Sequence, residues 1–150
     1  MRWHWRKEVL LRVKEILSAI DGVAGVTMRM INWDEAKGFP WLMIFSGGTS
    51  GMESYASPQA WKDSMEVVIR GWVKGTSFQD AVLEMEDWIE KIRAAIHGDY
   101  ISQETGALGT MEITLTPGEV RETDSGVWSD VGIAFFELDI PVMVYDLDFS

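Results

Sequence analysis

The feature that most constrains the fold of this chain is a strand followed directly by one long amphipathic helix, within residues 65–98. Apolar residues and one glycine occupy every second position of residues 65–74, and charged residues recur on the opposite face. This alternation predicts a half-buried β-strand. The charged face also carries Val68 and Trp72, and a large aromatic side chain there needs a cover. Two covers fit the pattern: the chain's own loops or N-terminal helix, and a neighbouring subunit.

The long helix is predicted over residues about 77–97, where apolar side chains recur at spacings of three and four. Ser77 and Asp80 form a capping signature at its start, and Gly98 is expected to end it. A second amphipathic helix is predicted over residues about 6–21. The predicted buried stripe of the long helix consists of Phe78, Ala81, Val82, Met85, Ile89, Ile92 and Ile96.

The remaining strands are predicted from less regular patterns. The longest extended run, residues 127–145, exceeds the about 5–6 residues of a usual strand. Its surplus is expected either to pair with a neighbouring protomer or to form a projecting hairpin with residues 110–122. The other predicted elements are a hairpin of residues 26–31 and 39–45, a loop over 46–58, a helical turn at 59–63, a strand at 110–116 and a turn at 124–126.

Together these elements predict an α+β fold in a single domain covering residues 1–150. The expected architecture is one mixed, mainly antiparallel sheet of about four to five strands, with both helices on one face and a long C-terminal β-hairpin. A chain of 150 residues that is 47% hydrophobic is long enough to bury one core.

Several functional classes are disfavoured by the residue types. The chain has no cysteine and two histidines, which leaves little for a zinc site or for thiol chemistry. No run approaches the about 18 apolar residues of a membrane span, and the charged N-terminus predicts no standard export signal. No catalytic motif occurs, so we expect a protein that is not an enzyme, without catalytic residues, metal ligands or cofactors. A divalent cation bridging acidic residues between subunits is the one exception that the composition allows.

The net charge of −11 is unevenly distributed along the chain. Residues 1–14 carry five basic residues and one acidic residue, whereas residues 101–150 carry one basic residue and ten acidic residues. A basic end and an acidic end on identical subunits favour side-by-side or head-to-tail association, and the acidic bulk disfavours nucleic-acid binding. The simpler interpretation is that the acidic residues only maintain solubility.

The glycine-rich segment after the second predicted strand resembles a phosphate-binding loop only superficially. The lysine that a Walker-type loop needs after its last glycine is absent, since Met52 follows Gly51. We therefore predict a flexible surface loop that becomes ordered against a partner. The candidate contact residues are Gly47, Gly48, Ser50, Gly51 and Tyr55.

The order helix, hairpin, long loop, strand, long helix, loop and long final hairpin resembles the tail terminator (tail completion) family of long-tailed bacteriophages, including the lambda-type minor tail protein. The likeness spans most of the chain and is one of pattern. It is carried by MEVVIRGWVK leading into FQDAVLE, and by the closing run VGIAFFELDIPVMVY.

The resemblance implies a structural virion protein that forms a hexameric ring. Such a ring caps the finished tail tube, stops polymerisation of the tube protein and offers its other face to the head–tail connector or stopper protein. The implied location is the virion tail, after assembly in the host cytoplasm, without membrane contact. DNA would pass through the acidic lumen without specific binding. Two alternatives stay open: another non-enzymatic tail or neck component of related fold, and a small ligand-binding or enzymatic domain that uses the Gly47–Gly51 loop.

The subunit interface is expected at aromatic and charged positions of the N-terminus, the central strand and the C-terminal run. For the two N-terminal tryptophans the alternative is that they close the edge of their own core. The candidate interface residues are Trp3, Trp5, Arg6, Lys7, Val68, Arg70, Trp72, Phe135, Glu137, Asp139, Asp146 and Asp148.

Overall fold

The computed structural model describes residues 5–49, 53–57, 60–102, 113–115, 121–128 and 132–147. These residues form two helices, seven strands and one short 3₁₀ turn at Trp33–Glu35. The helices are α1 (Trp5–Ser18) and α2 (Phe78–Ser102), and the strands are β1 (Gly25–Thr27), β2 (Trp41–Thr49), β3 (Glu53–Ser57), β4 (Ala60–Lys74), β5 (Ile113–Leu115), β6 (Arg121–Trp128) and β7 (Ile133–Leu147).

All seven strands belong to one mixed sheet. Its main path runs β1-β2-β4-β7-β5, while β3 also pairs with β4 and β6 also pairs with β7. Among the described strands, the β1–β2 pair is parallel and the other five pairs are antiparallel. The predicted α+β class and the mixed, mainly antiparallel sheet are therefore confirmed.

The two longest strands, β4 and β7, form the centre of this sheet. They pair from Lys74 and Ile133 at one end to Trp61 and Leu147 at the other. The other edge of β4 is shared by β2 and β3, and the other edge of β7 is shared by β5 and β6. The second side of β7 is thus paired over residues 133–139 and 142–144, and the expectation that its surplus pairs with a neighbouring protomer stays a prediction. The alternative, pairing within residues 110–122, agrees with β5 and with the start of β6.

The core lies between one face of the sheet and both helices, as predicted. We call this side of the sheet the helix face. A buried stripe on α2 and a buried stripe on α1 pack on alternate residues of β2, β4 and β7. The largest fully buried side chains of this layer include Leu17, Leu42, Ile44, Met65, Ile69, Ile89, Ile92, Ile96 and Phe136.

The predicted stripe of α2 needs two corrections. Phe78 is 55% exposed, whereas Trp88, which the spacing did not assign to the stripe, is buried. Phe78 occupies the first turn of the helix, and Trp88 lies against Gly22, just after the end of α1. The turn that follows α1 therefore packs on Trp88. Gly98 does not end α2, which continues to Ser102.

The predicted hairpin of residues 26–31 and 39–45 is wrong, because β1 and β2 run parallel. A parallel pair needs a crossover connection, and here residues 28–40 supply it. Ile31 in this crossover is buried on the face of the sheet opposite the helices. The predicted first strand therefore divides into two parts: β1 ends at Thr27, and the apolar residues after it belong to the crossover, which covers part of the sheet.

Three segments predicted as loop, helical turn or turn are strand instead where the structure describes them. Residues 46–58 contain the end of β2 and all of β3, residues 60–63 begin β4, and residues 124–126 lie inside β6. Each of these segments pairs with a neighbouring strand, and these backbone hydrogen bonds override the local turn propensity of Gly, Ser and Asp.

Two glycines allow a direct test of the packing between β4 and β7. Gly71 lies under the ring of Phe136, and a Cβ at this position would overlap that ring. Gly71→Ala is therefore expected to lower the free energy of unfolding by about 1–3 kcal/mol. Gly98→Ala is the matched control, because no atom lies within 4 Å of a Cβ there and alanine favours helix, so stability should rise by up to about 1 kcal/mol. Urea denaturation of both variants measures the difference, and equal effects would contradict the packing.

Candidate interaction surface

The sheet has a second face, opposite the helices, that collects aromatic and charged side chains. We define the second face by side chains of β2, β4 and β7 that stand in register across the strands. The register gives three rows: Trp41–Trp72–Phe135, Met43–Arg70–Glu137 and Phe45–Val68–Asp139.

The aromatic row is bounded by a glycine at each end. Gly25 is the register partner of Trp41, and Gly126 is the register partner of Phe135. A Cβ at Gly126 would lie 2.7 Å from the Phe135 ring, and a Cβ at Gly25 would also meet the indole of Trp41. The two outer rings therefore extend over glycine backbone. Trp72, between them, packs on Phe135 with ring centroids 5.8 Å apart and an interplanar angle of 59°.

An ion pair crosses the middle row. Arg70 donates from Nε to Oε1 of Glu137 at 2.6 Å, and the guanidinium lies 5.3 Å from the centroid of the Phe45 ring. The Arg70 side chain is 43% exposed and that of Glu137 is 19% exposed. The positive charge of Arg70 is thus already directed to a carboxylate and an aromatic ring on this face.

The crossover segment, residues 28–40, covers part of the second face. The carbonyl of Ile31 accepts a hydrogen bond from the indole N–H of Trp72 at 2.9 Å, and the Ile31 N–H lies 3.3 Å from Sδ of Met43. Met43 and Val68 are buried, whereas Trp72 stays half-buried. Part of the predicted cover for Trp72 is thus supplied by the chain's own crossover segment. The N-terminal helix does not supply it, because α1 lies on the opposite, helix face of the sheet.

Six of the predicted interface residues come together on this face, although they are far apart in the sequence. They are Val68, Arg70, Trp72, Phe135, Glu137 and Asp139.

The two basic residues predicted at the N-terminus lie elsewhere. Arg6 and Lys7 belong to the first turn of α1, and Arg6 Nη2 donates to the hydroxyl of Ser46 in β2 at 3.1 Å. Trp5 begins α1, and Asp146 belongs to β7. Trp3 and Asp148 lie outside the described residues.

The predicted partner-binding loop is not a loop where the structure describes it. Gly47 and Gly48 belong to β2, at a register shift between Ser46 and Gly48, and Tyr55 belongs to β3. A Cβ at Gly47 would lie 2.7 Å from Cγ2 of Val68, so close strand packing favours glycine there. Ser50 and Gly51 lie outside the described residues.

Sequence reasoning missed five residues of this surface. Trp41, Met43 and Phe45 recur at a spacing of two, so alternation along β2 could have identified them. Met30 and Ile31 carry no such signal, because the sequence pattern predicts a strand there. Met30 is 48% exposed and its Sδ lies 4.0 Å from Nη1 of Arg70.

In the described ranges, no three His, Asp or Glu side chains come together in a way that could bind a metal ion. Within those same ranges, neither helix has the length and apolar character needed to cross a membrane. No protein-family model matches the chain, and no curated protein matches its sequence.

The ion pair on the second face can be measured by a double-mutant cycle of Arg70→Met and Glu137→Gln. We expect a coupling free energy of about 0.5–1 kcal/mol, because Arg70 is partly exposed and screened by solvent. The Arg12–Glu15 pair of α1, at 3.0 Å, is the control, with an expected coupling of about 0.3–0.5 kcal/mol. Urea denaturation at low salt measures both coupling free energies. A coupling no larger than that of the control would show that Glu137 does not orient Arg70.

Proposed function

We propose that this chain is a structural virion protein, a tail terminator that forms a hexameric ring on the end of a phage tail tube. The ring would stop polymerisation of the tube protein and join the tail to the head connector or stopper protein. The order of α1, the long strand β4, the long helix α2 and the long paired strand β7 agrees with the element order on which the resemblance rests. The parallel β1–β2 pair departs from that order.

The observation that carries the proposal is that the basic start of α1 and the acidic residues of β6, Glu122 and Asp124 beside Arg121, lie at opposite edges of one sheet. The basic start of α1 reaches β2, through the Arg6–Ser46 contact, at one edge. The exposed Glu122 lies in β6 at the other edge, where β6 pairs with β7 and with no other described strand. Two different, complementary surfaces on one subunit favour head-to-tail contacts, which close into a ring when the rotation between subunits allows it.

The charge of the whole chain is compatible with a channel for DNA. Each subunit carries a net charge of −11, so the wall of such a ring would repel phosphate groups and DNA would pass without sticking. The Arg70 guanidinium does not change this expectation, because it is paired with Glu137. The six-fold symmetry itself rests on the resemblance.

The rival ligand-binding function loses part of its basis, because Gly47 and Gly48 lie in β2 and not in a loop. A different tail or neck component of related fold would share every feature described above. The number of subunits in the assembly separates these two structural roles from a monomeric binding domain.

Native mass spectrometry followed by negative-stain imaging tests the ring directly. We expect a mass of six subunits and a six-fold ring with a central channel. A purified protein that stays a single 17.0 kDa chain at high concentration would exclude the terminator function.

The contact between opposite edges can be tested by charge reversal. Arg6→Glu and Glu122→Lys should each loosen the ring, because each places like charges at the contact, and the two substitutions together should restore it. Asp34→Lys, an exposed position in the 3₁₀ turn, is the control for Glu122→Lys and should leave the ring mass unchanged. Sedimentation velocity at low and high salt reads out the assembly. A ring whose mass is indifferent to both reversals and to salt would contradict the charge contact.

A further inference from the structure

Each helix carries one strongly exposed leucine on the side that points away from the sheet. Leu11 of α1 is 49% exposed and Leu83 of α2 is 60% exposed. A single exposed leucine is ordinary on a protein surface. These two are informative because the charged residues around them are of opposite sign.

Lysines flank Leu11 on the outward face of α1. Lys7 lies four residues before Leu11 and Lys14 lies three residues after it, so all three share one side of the helix. Two acidic residues are also near: Glu8, three residues before Leu11, is half-buried, and Glu15 forms an ion pair with Arg12 at 3.0 Å. The exposed charges of this face outside that ion pair are therefore Lys7 and Lys14.

Acidic residues flank Leu83 on the outward face of α2. Glu86 and Asp87 follow Leu83 by three and four residues, and Glu90 follows it by seven. Asp87 forms an ion pair with Lys91 at 2.9 Å. The charges left on this face are the exposed Glu86 and Glu90, equal in number and opposite in sign to those around Leu11.

We propose that the helix layers of two copies of this chain face each other across a two-fold axis. In this contact Leu11 with Lys7 and Lys14 of one copy packs on Leu83 with Glu86 and Glu90 of the other. The contact is separate from the sheet edges of the proposed ring and does not depend on that function. If the chain forms rings, this contact would join two rings face to face. If the chain does not form rings, the contact would join two single chains into a dimer.

The two-fold axis follows from the arrangement of the helices. α1 and α2 contact each other on the helix face, and both outward faces point away from the sheet. When α1 of one copy lies on α2 of the other, the second pair of helices meets in the same way, which makes the interface self-complementary. If α1 of one copy packed on α1 of the other, Lys7 and Lys14 would face the same lysines of the second copy and repel them.

The expected affinity is low because the surface is small. α1 has 14 residues and is therefore about 21 Å long. Two helices about 10 Å apart give a footprint of about 400 Å² per copy, below the about 800 Å² per partner of a standard stable interface. The association should be visible only at high protein concentration and should weaken as salt is added.

Two double variants test the contact by sedimentation velocity over a range of protein concentrations. The native protein is expected to double its mass as concentration rises. Lys7→Glu with Lys14→Glu, and separately Glu86→Lys with Glu90→Lys, should each raise the dissociation constant by about tenfold or more, because attraction becomes like-charge repulsion. An equal mixture of the two variants should associate again, since both pairs of helices then carry opposite charges.

Controls separate this contact from general charge effects and from ring formation. Arg29→Glu with Lys37→Glu changes the net charge by the same amount as Lys7→Glu with Lys14→Glu, but at exposed positions of the crossover. This control should leave the doubling of mass unchanged. Leu83→Gln should weaken the doubling without any change in charge. Arg6→Glu should break the ring but still allow pairs of subunits, so failure of the ring and failure of this contact give different masses. A native protein that never doubles its mass, a mixture that stays apart, or an equal loss in the crossover control would overturn the proposal.

Discussion

The fold depends on the burial of one face of β4 and β7 beneath α1 and α2. Met65, Val67 and Ile69 on β4 and Phe136 and Leu138 on β7 lie in one buried layer with the isoleucines of α2. At about 1.5–3 kcal/mol per large buried side chain, this layer is the main favourable term, and ordering of the chain opposes it. Gly71 shows how closely the layer is packed, because its missing side chain makes room for the ring of Phe136. Every other surface of the molecule is positioned by this layer.

The second face is organised by a different balance of interactions. Its rows combine aromatic rings, a partly exposed ion pair and a cover from the crossover segment. The indole N–H of Trp72 reaches the carbonyl of Ile31, so the crossover is held on the sheet by a hydrogen bond as well as by the buried Ile31 side chain. This face is therefore partly covered by the chain itself.

Charge is sorted by the fold into places that the linear sequence only suggests. The basic start of α1 and β6, which carries Glu122 and Asp124 beside Arg121, belong to opposite ends of the chain, and the sheet keeps them on opposite edges. On the helix layer a similar arrangement recurs at smaller scale, with exposed lysines beside Leu11 and exposed glutamates beside Leu83. The two proposed contacts between copies of the chain rest on these two arrangements.

The sequence by itself determined the central strand, the long helix, the helix at the N-terminus and the packing of both helices on one face. These followed from the spacing of apolar residues, since alternation and a period of 3.6 are local properties of residues 65–74 and of α2. Only the tertiary structure decided the parallel direction of β1, the strands at residues 46–58 and 124–126, and the burial of Trp88. In each case the deciding partner lies on another element: Gly126 lies beside Phe135 of the next strand, β3 pairs with β4, and Trp88 lies beside Gly22. A pairing strand or a packed ring can override local turn propensity because it supplies hydrogen bonds and buried area that the segment cannot provide alone.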